Sequence, residues 1–235
     1  LASALVETIS FLSTSKIVEA LSAFHEALEA HKEPINRLNV YPVPDGDTGT
    51  NMYLTVGSVI EELEGVESED RQAVCEAISH GSLMGARGNS GVILSQVLRG
   101  MSDCFSRSEN IDSELLTEAL TESSISADGA VMKPVEGTIL TVVRESARSA
   151  MKAKQSGSIT AVIEEALAGG EIALEKTPEQ LEVLREAGVV DAGGAGFLLL
   201  LNAFLHVLDG RICGRVDIRR SGCRAARDTA GHRFR

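Results

Sequence analysis

The sequence predicts an all-α protein. Apolar residues recur at helical spacing along nearly the whole chain, and β-branched runs are short and never sustain an alternation. Capping residues also stand at the heads of periodic segments. Ile17, Leu21, Phe24 and Leu28 place one long helix, or two, over about residues 2–30. A second segment runs from Met52 to about Leu63. Asp70 can cap a helix to about Met84, with Val74, Ile78 and Leu83 as its apolar positions. Ser90 to about Phe105 carries Ile93, Val97, Leu98 and Met101. Asp112 or Ser113 can cap the next helix, along which Leu116, Leu120 and Ile125 fall. Further helices are expected at about 138–153, 159–175, 178–187 and 195–208, giving about eight in all and ending near Gly210. No internal repeat is apparent.

The 235 residues allow one large domain or two small ones, and 43% hydrophobic residues suffice for a substantial core. With no Trp and 3% aromatics, that core is expected to be aliphatic. No apolar run approaches the roughly 18–20 residues that span a bilayer, and no basic-then-apolar signal pattern opens the chain. The reading is a soluble, cytoplasmic protein with no transmembrane segment. Cys75, Cys104, Cys213 and Cys223 are widely spaced with no C-x-x-C pair, so neither a zinc site nor a disulfide framework is implied.

Charge is unevenly spread. Residues 211–235 hold eight arginines against Asp217 and Asp228, a net of +6, so the body carries −18 within the total of −12. An acidic body argues against nucleic acid, because phosphate contacts need Lys and Arg. The basic tail could bind RNA or an acidic surface, but reads more simply as a disordered or non-native end. The chain opens on Leu1 rather than Met, the mark of a fragment or an unusual start.

Four polar or glycine-bearing joints separate the helices: 39–51, 85–91, 133–138 and 190–196. Each precedes a helix, and a helix N-terminus offers unpaired N–H groups and a positive dipole end to an anion. Gathered at one end of a bundle, the four would make one nucleotide site. The first is the most informative. Two prolines stiffen it, two glycines loosen it, and Asp45 and Asp47 stand one residue apart. Such a loop suits a hard cation and the phosphates it carries, though Asp-Gly is also a common turn pair with solvated carboxylates. An EF-hand needs glycine at the sixth loop position and glutamate at the twelfth, where Thr50 and Val56 stand. An aspartate-nucleophile phosphotransferase would place its Asp-x-Asp after a buried strand, whereas here prolines interrupt the approach and Gly49 takes the fifth place.

Gly88-Asn89-Ser90-Gly91 is either an ordinary N-cap or a phosphate-holding turn, with Arg87 at hand. The chain has no G-x-x-x-x-G-K-[ST] loop and no G-x-G-x-x-G in a βαβ context, so a nucleotide site here is of another design. Asp191-Ala-Gly-Gly-Ala-Gly196 is either close helix packing through small residues or a joint that closes over a ligand. For Lys133-Pro-Val-Glu-Gly-Thr138 a turn with a capping Thr is explanation enough. The histidines at 25, 31, 80, 206 and 232 show no ligand spacing, and His25 and His206 read as structural.

In this order, the four joints resemble the Dak2 (DhaL-like) nucleotide-binding domain family, and in particular the N-terminal kinase domain of bacterial fatty acid kinase. The resemblance rests on Leu38–Met52, Leu83–Gln96, Val131–Thr141 and Gly188–Gly196, and covers about residues 2–210. It implies an antiparallel eight-helix barrel over 1–210 that binds ATP or ADP and two Mg²⁺ ions at one end. Asp45 and Asp47 would be the metal ligands and the groups on which catalysis depends. In related dihydroxyacetone kinases a third aspartate stands shortly before this pair. None stands here, and Asn39 is the candidate for that role. Thr48, Gly49, Thr50, Asn51, Asn89 and Ser90 would hold phosphates. Gly137, Thr138, Ile139, Asp191, Ala192 and Gly193 would line the rest of the nucleotide site.

The implied reaction passes the ATP γ-phosphate to a fatty acid carboxylate presented by a separate DegV-like carrier protein, giving an acyl phosphate. Positioning and charge neutralisation carry such a transfer. A carboxylate is already ionised at neutral pH, which agrees with the lack of a convincing general base. The alternatives are the ATP-binding component of a dihydroxyacetone-type kinase and a non-catalytic nucleotide-binding module, and homodimerisation is left open. After Gly210 the chain departs from the family, whose full-length members continue into further domains that engage the carrier.

Overall fold

The computed structural model describes residues 9–108 and 110–211. Its elements are α1 (Thr14–Asn36), α2 (Thr48–Leu63), α3 (Arg71–Gly85), α4 (Gly88–Phe105), α5 (Ser113–Gly129), α6 (Ile139–Ala150), a 3₁₀ turn (Met151–Ala153), α7 (Ile159–Gln180), α8 (Glu182–Ala187) and α9 (Ala192–Asp209). Among the described residues there is no strand. One isolated antiparallel bridge joins Leu12 to Ile111. The all-α expectation holds, with nine α-helices among the described residues where about eight were expected.

The boundaries follow local chemistry. The first helix begins at Thr14 rather than near residue 2, because Ser13 caps it by accepting the Lys16 N–H and Leu12 is drawn into the bridge with Ile111. It then runs past residue 30 to Asn36. Residues 2–8 of the expected helix lie outside the described residues, as does the expected basic tail from 212 onward with Cys213 and Cys223. Arg211 pairs with Asp209 and Glu164. Asp70 and Asp112 cap α3 and α5 as the sequence indicates, and Ser158 caps α7.

A break was expected before residue 178, yet α7 continues through Pro178 to Gln180. Pro178 has no N–H for the carbonyl of Leu174, and the Thr177 hydroxyl donates to that oxygen instead, at 2.7 Å. Gly188 and Gly210 close α8 and α9 in the left-handed region.

Successive helices from α1 to α7 pack on one another in chain order, and α9 packs on α7 and on α1. Helix α9 also touches α6 and α2 and is buried from Ala192 to Leu205. It is long and apolar enough to cross a membrane by composition, contrary to the reading that no run approaches that length. Burial inside the bundle accounts for its apolar character on every side. The core is mainly aliphatic, around four fully buried phenylalanines, Phe24, Phe105, Phe197 and Phe204. Leu83 and Ile125, read as apolar positions of their helices, are exposed. Cys75 and Cys104 are buried and unpaired, and burial pushes the Cys75 thiol up to about 11. His25 stacks on Tyr53, with ring centroids 4.6 Å apart, and His206 bonds the Arg211 carbonyl.

Candidate functional site

The starts of α1, α5 and α7 meet at one end of the bundle. There Leu12 N–H bonds the Ile111 carbonyl at 2.8 Å, and Ile159 N–H bonds the Ile9 carbonyl at 2.9 Å. At the other end of these helices all four joints border one cavity of about 560 Å³. Asn39, Asp45, Asp47, Thr48 and Asn51 line it from the first joint and the head of α2. Asn89 and Ser90 contribute from the second, Thr138 and Ile139 from the third, and Asp191 and Gly193 from the fourth.

In the first joint Gly46 takes φ +69°, the conformation that turns the chain between the two carboxylates. Asn39 is buried, and its Nδ2 donates to Asp45 Oδ1 at 2.7 Å. A carboxylate only accepts, so this bond fixes the amide orientation and leaves Asn39 Oδ1 for another partner. Asp47 occupies the N-cap position of α2, yet its side chain makes no capping bond. The acceptor for that turn comes from α1, where Asn36 Oδ1 accepts the Thr50 N–H at 3.1 Å and Asn36 Nδ2 donates to Thr50 Oγ1 at 3.0 Å.

In the second joint Arg87 sits at the N-cap of α4 and supplies no side-chain cap. Neither Asn89 nor Ser90 is the N-cap residue, so the first turn of α4 keeps unpaired N–H groups at the cavity. Gly88, at φ +59°, lies against Asn51, where any side chain would collide with the Asn51 amide. Buried Thr55 holds the joint. Its hydroxyl donates to the Asn51 carbonyl at 2.7 Å and accepts the Arg87 N–H at 3.2 Å.

The third joint departs from the capping-Thr reading. Thr138 stands at the N-cap of α6, but its hydroxyl donates to the Val135 carbonyl at 2.7 Å. Thr141 Oγ1 accepts the Gly137 N–H at 3.0 Å and donates to Glu136, which also pairs with Arg144. That pairing and the Thr141 bond hold the Glu136 carboxyl below its ordinary range.

In the fourth joint the buried Asp191 carboxylate accepts the Gly194 N–H at 2.7 Å, and the backbone N–H groups of Gly193 and Ile139 also favour its charged form. It therefore caps α9. Desolvation outweighs those bonds and pushes its pKa up to about 6. Thr177 Oγ1 accepts the Asp191 N–H at 3.1 Å.

Four expected site residues do not line the cavity. Gly49 is where α2 meets α1, and a Cβ there would collide with the Lys32 backbone. Thr50 is engaged with Asn36. Gly137, at φ +81°, packs on Thr177, Gln180 and Leu181, and Ala192 is buried at the head of α9. The residues that fix the joints were not singled out in the sequence. Asn36, Thr55, Thr141 and Thr177 sit inside helical segments, and their hydroxyls and amide carry no pattern that marks them. Lys133, the only Lys or Arg among the cavity-lining residues, was not marked as a ligand, nor was the apolar wall of Val43, Val92, Ile93 and Met132. Among the described residues no three His, Cys, Asp or Glu side chains group to hold a metal ion.

An all-α module whose helix heads converge on one cavity, with two aspartates one residue apart among its lining, is the class these features define. The chain belongs to the DAK2 domain family, a kinase-related module, and residues 42–206 match it. It is 44% identical over 204 residues to Protein YloV of Bacillus subtilis (strain 168), covering 86% of this chain and 37% of that protein. It is also 46% identical over 184 residues to the uncharacterized protein SSP1546 of Staphylococcus saprophyticus, covering 78% of this chain and 33% of the relative. A Staphylococcus aureus (strain USA300) protein, the uncharacterized SAUSA300_1119, is 46% identical over the same length, covering 34% of its own chain. The chain thus spans about a third of the length of these relatives.

Proposed function

We propose that this domain binds ATP with Mg²⁺ in the cavity and serves as the phosphoryl-donating module of a fatty acid kinase. The convergence of all four joints on one cavity carries the reading. Mg²⁺ typically takes one or two carboxylates, with waters and substrate phosphates completing its shell. Asp45, Asp47 and the free oxygen of Asn39 fit that donor set. When bound, Mg²⁺ would supply charge neutralisation at the phosphates. The uncapped turn of α4, with Asn89 and Ser90, offers N–H groups to a phosphate, and Lys133 adds a cation. Thr48 and Asn51 flank the same space, while Thr138, Ile139, Asp191 and Gly193 bound its far side.

The helix order supports an antiparallel barrel of eight helices, α1 to α7 and α9, with α8 inserted. The acceptor in this reading is a fatty acid carboxylate held by a DegV-like carrier, in the cytoplasm, and the product an acyl phosphate. The Val43, Val92 and Met132 wall is compatible with an apolar-tailed acceptor. Calorimetry with ATP, with and without Mg²⁺, tests the nucleotide step, and no Mg²⁺-dependent binding would sink the reading. An acyl-phosphate assay with a lipid-loaded carrier tests the acceptor. Nucleotide binding without acyl phosphate would reduce the domain to a binding module.

A further inference from the structure

We infer that Asn36 is a positioning residue that caps α2 from a neighbouring helix and thereby keeps the Asp47 carboxylate available to a cation. The inference rests on the metal reading of Asp47. Asp is among the strongest N-cap residues, and its carboxylate normally accepts the N–H of the second or third helical residue. The five caps on α1, α3, α5, α7 and α9 do so, three of them aspartates: Asp70, Asp112 and Asp191. Asp47 alone among the aspartates at N-cap positions does not. The N–H it would take is that of Thr50, the third residue of α2, and Asn36 Oδ1 already holds it at 3.1 Å.

The second bond, from Asn36 Nδ2 to Thr50 Oγ1, fixes the amide the right way round. Asn36 itself is the last residue of α1, and Gly49 lets the two helices approach closely enough for this exchange. A carboxylate engaged by a backbone N–H has one fewer lone pair to offer and is turned toward the helix. With the turn capped from α1, the Asp47 side chain keeps its acceptors for the cavity that Asp45 also lines.

The test has one arm without nucleotide and one with it. In the metal-free, nucleotide-free chain, amide hydrogen exchange is read at Thr50. Asp47→Ala should leave that amide at the wild-type rate. Asn36→Ala should speed it, and the double variant should speed it further, because Asp47 returns to the cap once Asn36 is gone. Faster Thr50 exchange in Asp47→Ala alone, or none in Asn36→Ala, overturns the inference.

In the second arm, calorimetry follows ATP binding at graded Mg²⁺. Asn36→Ala should raise the half-saturating Mg²⁺ roughly five- to tenfold, the equilibrium worth of one cap. ATP affinity at saturating Mg²⁺ should recover, and Asn36→Asp, which retains the acceptor, should restore the wild-type Mg²⁺ requirement. A lowered thermal midpoint with no change in the Mg²⁺ requirement would show a structural role only and overturn the assignment. If the wild-type chain binds no ATP in a Mg²⁺-dependent way while the exchange pattern holds, the nucleotide reading falls, and the purpose given to Asn36 falls with it.

Discussion

The Asp191 carboxylate accepts the Gly194 N–H at 2.7 Å, so a buried acidic side chain caps α9 at the cavity. Burial raises its pKa to about 6, against an ordinary value of about 3.9. A carboxyl whose folded pKa is raised favours folding most below the unfolded value and loses that advantage as pH climbs through the folded one. For Asp191 the window runs from about pH 4 to about pH 6, and the two-unit difference amounts to about 3 kcal/mol. Asp191→Asn removes the titration. The stability of the wild type relative to this variant should therefore rise as pH falls from 7 to 4. Urea unfolding of both at several pH values checks it, and a flat difference would contradict the raised pKa.

Thr55→Val keeps the shape of the side chain but leaves the Arg87 N–H without its acceptor. Loss of both hydroxyl bonds, one of which leaves that N–H unpaired, should destabilise the domain by about 1–3 kcal/mol. It should also weaken nucleotide binding, because the turn it holds leads into Asn89 and Ser90. Denaturant midpoints and ATP titration measure the two effects separately. Unchanged values in both would mean the joint is held elsewhere.

Gly49→Ala separates packing from ligand contact. The added methyl meets the Lys32 backbone, and such overpacking typically destabilises by about 1–3 kcal/mol. The thermal midpoint should drop clearly. A normal midpoint with lost ATP affinity would instead return Gly49 to the phosphate role that the motif implies.

Asp45→Ala and Asp47→Ala should each abolish Mg²⁺-dependent ATP binding while helicity by circular dichroism stays intact. Asp45 is exposed and Asp47 half-buried, so neither supports the core. Undiminished binding in both variants would refute the metal role.

Much of this architecture is legible in the residues, because helix heads and joints are written locally. Asp70 and Asp112 announce their helices through a side chain and an N–H three residues on. The four joints stand out by glycine and carboxylate, and all four border the cavity. Less legible is what depends on distant partners. Periodicity marks Leu83 and Ile125 as apolar but does not say that their sides of α3 and α5 face outward. Pro178 signals a break that the Thr177 hydroxyl averts. Asn36, Thr55, Thr141 and Thr177 act across helices, and no spacing in one chain encodes which N–H each will meet.

The long helices that lack a cap of their own, α2, α4 and α6, all begin at the cavity end, where α9 alone brings one. At the end where α1, α5 and α7 begin, each helix is started by its own neighbour in sequence, so any Ser, Thr, Asp or Asn can stand in. At the cavity end, α2 depends on a side chain from α1, and the turn before α4 on one from α2. Sequence drift should therefore be free at one end of this molecule and correlated at the other, where a change in one helix succeeds only with a matching change in its neighbour.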